Sequence, residues 1–196
     1  MQNVLSTDQR LRPIDRFGYS VYNVVVTADP RQMEIVEGVR VYAKSPRANT
    51  VAHIALVSMF CDIPSVARIE QIVREVASRH GPLEIKFDST KPQIIEDVAC
   101  FYGIRTSEFN KLRADLKAGI DPISTTTSSV PDKDWKPRFT IWYECPLEHR
   151  AAAKAALDKA PSLGTGFTVT SLEFIGRDGP AYGGHWLSIK AFPLRG

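Results

Sequence analysis

Apolar residues occur along this chain in short runs whose spacing switches between the period of a strand and that of a helix. Residues 19–27 hold the β-branched run Val24-Val25-Val26 and read as a first strand. Asp29-Pro30 is an N-cap residue followed by a proline suited to a first helical turn. A short helix then runs through Met33, Ile35 and Val36, and Gly38 is expected to end or weaken it. After a loop at Ser45-Pro46-Arg47-Ala48-Asn49-Thr50, residues 51–60 are apolar and strand-like. Residues 62–81 form the clearest helix: Val66, Ile69, Val73 and Val76 recur at helical spacing and Gly81-Pro82 stops it. Residues 83–87 alternate Leu, Ile and Phe with Glu84 and Lys86, as a half-buried strand does, and 98–103 give another strand. Ser107 is expected to cap a helix carrying Phe109, Leu112 and Leu116, with Gly119 just past its end.

Residues 121–134 break the pattern. The run Ser124-Thr125-Thr126-Thr127-Ser128-Ser129 before Val130-Pro131 predicts a mobile surface loop that could close over a site. Beyond it come a strand at 138–144, an alanine-rich helix at 147–159, a strand at 167–175, a turn-rich hairpin loop at 176–184 and a last strand at 186–192. Strand, helix, strand, strand thus occurs on both sides of the loop, a repeat of topology without an obvious repeat of sequence. The expectation is an α+β fold of two lobes related by a pseudo-two-fold axis, with antiparallel sheets, flanking helices and a central cleft. The lobes should span about 1–120 and 135–196 of a single 196-residue domain, with 121–134 as linker.

Composition narrows the function classes. No apolar run approaches the roughly 20 residues of a membrane span, and the polar start of the chain lacks a secretory signal, so an intracellular, cytoplasmic protein is expected. Cys61, Cys100 and Cys145 are widely spaced and form no C-x-x-C, which argues against a zinc knuckle or a disulfide framework. The four histidines are dispersed without metal-ligand spacing, so neither metal nor cofactor is expected. A net charge of +3 suits a phosphate-bearing ligand but falls short of a nucleic-acid coat.

Two strands carry the chemistry. In Ala52-His53-Ile54-Ala55-Leu56-Val57 the alternation sets His53 and Ala55 on one face and Ile54 and Leu56 on the other. In Pro137-Arg138-Phe139-Thr140-Ile141-Trp142 it sets Arg138 and Thr140 opposite Phe139 and Ile141. This ordered pair, with Leu83-Glu84-Ile85-Lys86-Phe87 and the closing stretch from Gly184 to Leu194, resembles the 2H phosphoesterase superfamily, which includes 2′-5′ RNA ligase-like proteins and cyclic phosphodiesterases. That resemblance spans nearly the whole chain. It implies two H-x-T motifs on facing strands and cleavage of a cyclic 2′,3′-phosphate without a metal. One histidine activates water, the other protonates the leaving oxygen, and the threonines bind the phosphate.

The motifs depart from that pattern: Ala55 stands where the first threonine is expected and Arg138 where the second histidine is expected. His53 is then the catalytic base, and Arg138 and Thr140 are the phosphate-binding groups. A guanidinium fork matches phosphate oxygens but cannot give up a proton near neutrality. Trp142, Tyr143, Tyr182 and His185 are possible substrate contacts, although aromatic residues in strands equally serve packing. The resulting expectation is a monomer that binds a nucleotide, or an RNA with a cyclic or terminal phosphate, with at most weak hydrolysis. A non-catalytic nucleotide- or RNA-binding protein or scaffold is the alternative.

Overall fold

The structure, a computed structural model, describes residues 19–45, 51–60, 63–126, 132–178 and 186–196. Ten strands and four α-helices follow in the order β1 (Tyr19–Thr27), α1 (Pro30–Ala43), β2 (His53–Phe60), α2 (Ile63–Arg79), β3 (Leu83–Lys86), β4 (Gln93–Ile95), β5 (Val98–Tyr102), α3 (Ser107–Ile120), β6 (Thr125–Thr126), β7 (Arg138–Trp142), α4 (Leu147–Lys159), β8 (Gly166–Val169), β9 (Ser171–Asp178) and β10 (Trp186–Pro193) among the described residues. They form a five-stranded sheet in the order β10-β9-β1-β2-β6, a three-stranded sheet β4-β5-β7 and a pair β3-β8. Each ladder is antiparallel.

One apolar core joins these layers. Tyr22, Val24 and Val26 of β1 share a face with their partners Met59, Val57 and Ile54 on β2, and all six are buried. The Tyr22 ring stacks on Phe174 of β9 at 5.3 Å. The apolar stripe of α2, Val66, Ile69, Val73 and Val76, lies in the same cluster as Phe109, Leu112 and Leu116 of α3. Phe101 and Phe139, on the inner face of the small sheet, complete it with Phe87 and Phe167, the Phe87 and Phe101 rings 4.5 Å apart. Each such side chain contributes on the order of 1.5–3 kcal/mol on burial.

Several boundaries differ from those expected. Gly38 does not stop α1, which continues because Val39, Arg40 and Ala43 are buried, and ends at Lys44 in the left-handed region. Thr106, not Ser107, caps α3, accepting from the Phe109 amide at 3.2 Å. That helix runs through Gly119, where a Cβ would lie 2.6 Å from Ile72 Cγ2; the missing side chain is what lets α3 approach α2. The strand expected at 167–175 is two strands of different sheets, β8 on β3 and β9 on β1, parted at Thr170, whose carbonyl takes the Leu194 amide.

Where described, the expected mobile loop is tied down at both ends. Thr125 and Thr126 add a short edge strand to β2. Arg105 donates to the carbonyls of Asp132, Lys133 and Trp135, and Arg113 stacks on the Trp135 ring at 4.1 Å while pairing with Asp132 at 2.8 Å. Residues 127–131 lie outside the described residues. The expected lobes also do not coincide with the sheets. The large sheet takes β1 and β2 from before the linker, β6 from within it and β9 and β10 from after it, and the small sheet joins β5 to β7 across it.

Candidate functional site

His53 begins β2, opposite Thr27 of β1, on the face turned away from the apolar core. Ile54 and Leu56 are buried while His53 and Ala55 are only half-buried, as the alternation of the sequence requires. The His53 Nδ1 atom lies 2.7 Å from the Val51 carbonyl oxygen. A carbonyl only accepts, so Nδ1 carries the proton and Nε2 the lone pair. Burial holds the imidazole below its ordinary titration range; the Val51 bond opposes this and the Arg40 charge reinforces it. The ring is thereby held as a neutral base. Thr27 and two further side chains extend a polar row on this sheet, with Thr27 Oγ1 donating to Glu173 Oε1 at 3.0 Å and Ser188 Oγ donating to Glu173 Oε2 at 3.2 Å.

On β7, Arg138 is exposed and Thr140 half-buried, and both stand opposite the buried Phe139 and Ile141. The ladder with β5 pairs Tyr102 with Arg138 and Cys100 with Thr140, so these four side chains share one face, on which Cys100 is buried. Burial raises the Cys100 thiol, against a downward pull from Arg138. Tyr102 is raised by burial and by the neighbouring thiol, with Arg138 again pulling down. The Arg138 guanidinium lies 5.7 Å from the Tyr143 ring centroid and the Lys136 ammonium 5.8 Å from that of Tyr102.

Two buried arginines that sequence reasoning passed over brace these strands. Arg40 on α1, 6% exposed, donates Nε to the Ile141 carbonyl at 2.6 Å and a terminal nitrogen to the Thr140 carbonyl at 3.1 Å, while pairing with Glu37 at 2.6 Å. Its charge also acts on the His53 ring. Nearby, the end of α1 is tied to β7 by the Ser45 hydroxyl, which donates to the Tyr143 carbonyl. Arg113 on α3 donates to the Leu56 carbonyl at 3.0 Å. Leu56 sits at an irregularity where Val24 pairs with Val57 but Val25 with Ala55, so its carbonyl is displaced from the regular ladder and the guanidinium satisfies it. Sequence offered one hint: Arg40 and Arg113 fall at the helical spacing of the apolar positions Val36, Val39 and Ala43, and Phe109, Leu112 and Leu116.

The remaining expected contacts divide. Tyr143 is half-buried beside Arg138. Trp142 is 3% exposed and belongs to the apolar core, so it packs rather than presenting a stacking surface. Tyr182 and His185 lie outside the described residues. Among the described residues no three His, Cys, Asp or Glu side chains are grouped as metal ligands would be, and no helix is long and apolar enough to cross a membrane.

With this geometry in hand, comparison places the chain. Residues 27–181 match the model of the 2′-5′ RNA ligase superfamily. No curated protein sequence matches significantly. Among solved structures, TT0787 of Thermus thermophilus is 15% identical with a TM-score of 0.61, the match covering 90% of this chain and 98% of that one. Escherichia coli LigT in complex with NADP+ is 13% identical with a TM-score of 0.59, covering 89% and 98%. The LigT complex with 3′-AMP is also 13% identical, with a TM-score of 0.57 and the same coverage. At these identities the structures speak for the fold, and they agree with the family match over most of the chain: this protein belongs to the 2′-5′ RNA ligase superfamily, the 2H phosphoesterases.

Proposed function

We propose that this protein binds the phosphate of a nucleotide or RNA end in a cleft between the outward faces of β2 and β7, and hydrolyses a 2′,3′-cyclic phosphodiester slowly and without a metal. The observation that carries this reading is the His53 Nδ1 contact with the Val51 carbonyl, which leaves Nε2 as a base able to take a proton from water. In the proposed roles Arg138 and Thr140 hold the phosphate, Arg138 as a charged fork and Thr140 as a hydroxyl donor. Tyr143, beside Arg138, is placed to contact the sugar or base. The complexes of LigT with 3′-AMP and with phosphate support a phosphate-bearing ligand for this fold.

Slow turnover follows from the motif positions. Ala55 and Arg138 stand where the family has threonine and histidine, so the site keeps charge stabilisation and loses one of two acid–base groups. Such a group supplies about 10²–10⁴ in rate. A non-catalytic binder is the second reading, favoured by that same arginine, which cannot return a proton to a leaving group near neutrality. Two assays decide between them: phosphate and nucleotide affinity by calorimetry, and turnover of a 2′,3′-cyclic nucleotide. Arg138→Ala should weaken binding and reduce its salt dependence, and His53→Ala should abolish turnover while sparing binding. No measurable affinity for phosphate or nucleotide in the wild type refutes the proposal.

A further inference from the structure

The reaction above has a base and a phosphate clamp but no donor for the departing oxygen. We propose that Tyr102 is that donor, a catalytic residue standing in for the absent second histidine. This inference rests on the phosphodiester reading of the site. Tyr102 is the direct cross-strand partner of Arg138 in the β5–β7 ladder, so their side chains leave the same face. Such partners have Cβ atoms about 5 Å apart, within reach of one phosphate held by the guanidinium. Cys100, the partner of Thr140, lies on the same face and is buried beside the phenol. Lys136, 5.8 Å from the ring, is a second cation against the same phenol.

The charged and titratable groups acting on this phenol are Arg138 from β7, Lys136 from the preceding segment, Cys100 from its own strand and Asp88 from the turn after β3. Burial and the thiol keep the hydroxyl protonated through neutral pH, and the two cations stabilise the phenolate that donation would create.

The atoms balance as follows. His53 Nε2 takes a proton from water as the water oxygen bonds to phosphorus. The bond from phosphorus to the ribose oxygen breaks, and that oxygen takes the Tyr102 proton to become a hydroxyl. Imidazolium and phenolate then return to their resting forms through exchange with solvent, so that cyclic diester plus water gives monoester. An alkoxide is more basic than a phenolate, so the transfer runs downhill. A phenol is nonetheless a weaker acid than imidazolium, which agrees with slow turnover.

The leaving group provides the test. A 2′,3′-cyclic nucleotide expels an alkoxide and needs a proton donor, whereas bis(p-nitrophenyl) phosphate expels a phenolate that does not. Tyr102→Phe should lower turnover of the cyclic nucleotide by about 10²-fold with little change in KM, and lower that of the p-nitrophenyl ester far less. Phosphate affinity by calorimetry and thermal melting should match the wild type. In an Ala55→Thr/Arg138→His background, where a histidine takes over, the effect of Tyr102→Phe should shrink. Equal losses on both esters, or no loss on either, overturn the assignment. Wild-type protein that binds phosphate but turns over neither ester overturns it too and leaves a binder, while absence of phosphate binding removes the underlying reading as well.

Discussion

Replacing Arg40 by methionine removes two hydrogen bonds and one charge from the middle of the molecule while keeping much of the apolar stem. The carbonyls of Ile141 and Thr140, now served at 2.6 and 3.1 Å, would face a side chain that cannot donate. An unsatisfied buried acceptor costs about 1–3 kcal/mol, and bonds to a charged donor lie at the upper end. Glu37, 54% exposed, returns to solvent at little cost and adds under about 1 kcal/mol. Water reaching the part-buried Thr140 carbonyl offsets some of the loss, so the expected destabilisation is about 3 kcal/mol. A urea titration read by tryptophan fluorescence measures it. The same change must move His53, because the Arg40 charge is one of the influences holding that ring below its ordinary range. Followed by NMR of the ring protons, its titration should shift upward in Arg40→Met and stay low in Arg40→Lys. The stability consequence has a definite sign. A histidine lowered on folding favours the fold above its unfolded pKa of about 6.5 and loses that contribution as pH falls toward the folded value. The acid loss should therefore be smaller in Arg40→Met than in the wild type. A destabilisation below about 1 kcal/mol together with an unmoved His53 titration would refute the assignment of both roles.

Two other outcomes follow from features described above. Ala55→Thr/Arg138→His, which restores both expected motif residues, should raise turnover of a 2′,3′-cyclic nucleotide by about 10²–10⁴-fold in a steady-state assay; an unchanged rate would mean the motif departures are not what limits it. Gly119→Ala should lower stability by about 1–3 kcal/mol in a denaturant titration, since its Cβ would meet Ile72 Cγ2 at 2.6 Å.

What the chain discloses unaided depends on how far each signal reaches. The alternation over residues 53–56 and 138–141 correctly separated buried from outward residues, because strand period is a local property. The helix at Ile63–Arg79 was legible for the same reason. Gln93–Ile95 was not: three exposed residues give no period, and only pairing with β5 makes them a strand. The split between β8 and β9 was missed although the buried positions change phase across Thr170-Ser171, from Phe167 and Val169 to Leu172 and Phe174. Trp142 shows the limit of alternation: it follows the outward parity of Arg138 and Thr140 and is nevertheless covered. Arg40 and Arg113 were missed because their targets are backbone carbonyls distant in sequence, which no motif encodes.

The strand order β10-β9-β1-β2-β6 has a consequence for synthesis. Tyr22 must pair with Gly176, so the edge of β1 that β9 covers stays open until nearly the whole chain has left the ribosome. β1 and β2 can form their ladder early, but that pair then carries an exposed apolar strand edge, a template for pairing with another nascent chain. Contacts so distant in sequence slow folding and lengthen that exposure. A premature stop within the linker, or a stall there during translation, would strand the β1–β2 pair that presents His53 without its covering strand. Aggregation of arrested chains is then the natural failure of this topology, and a chaperone that shields the β1 edge would matter more to its yield than one that assists helix formation.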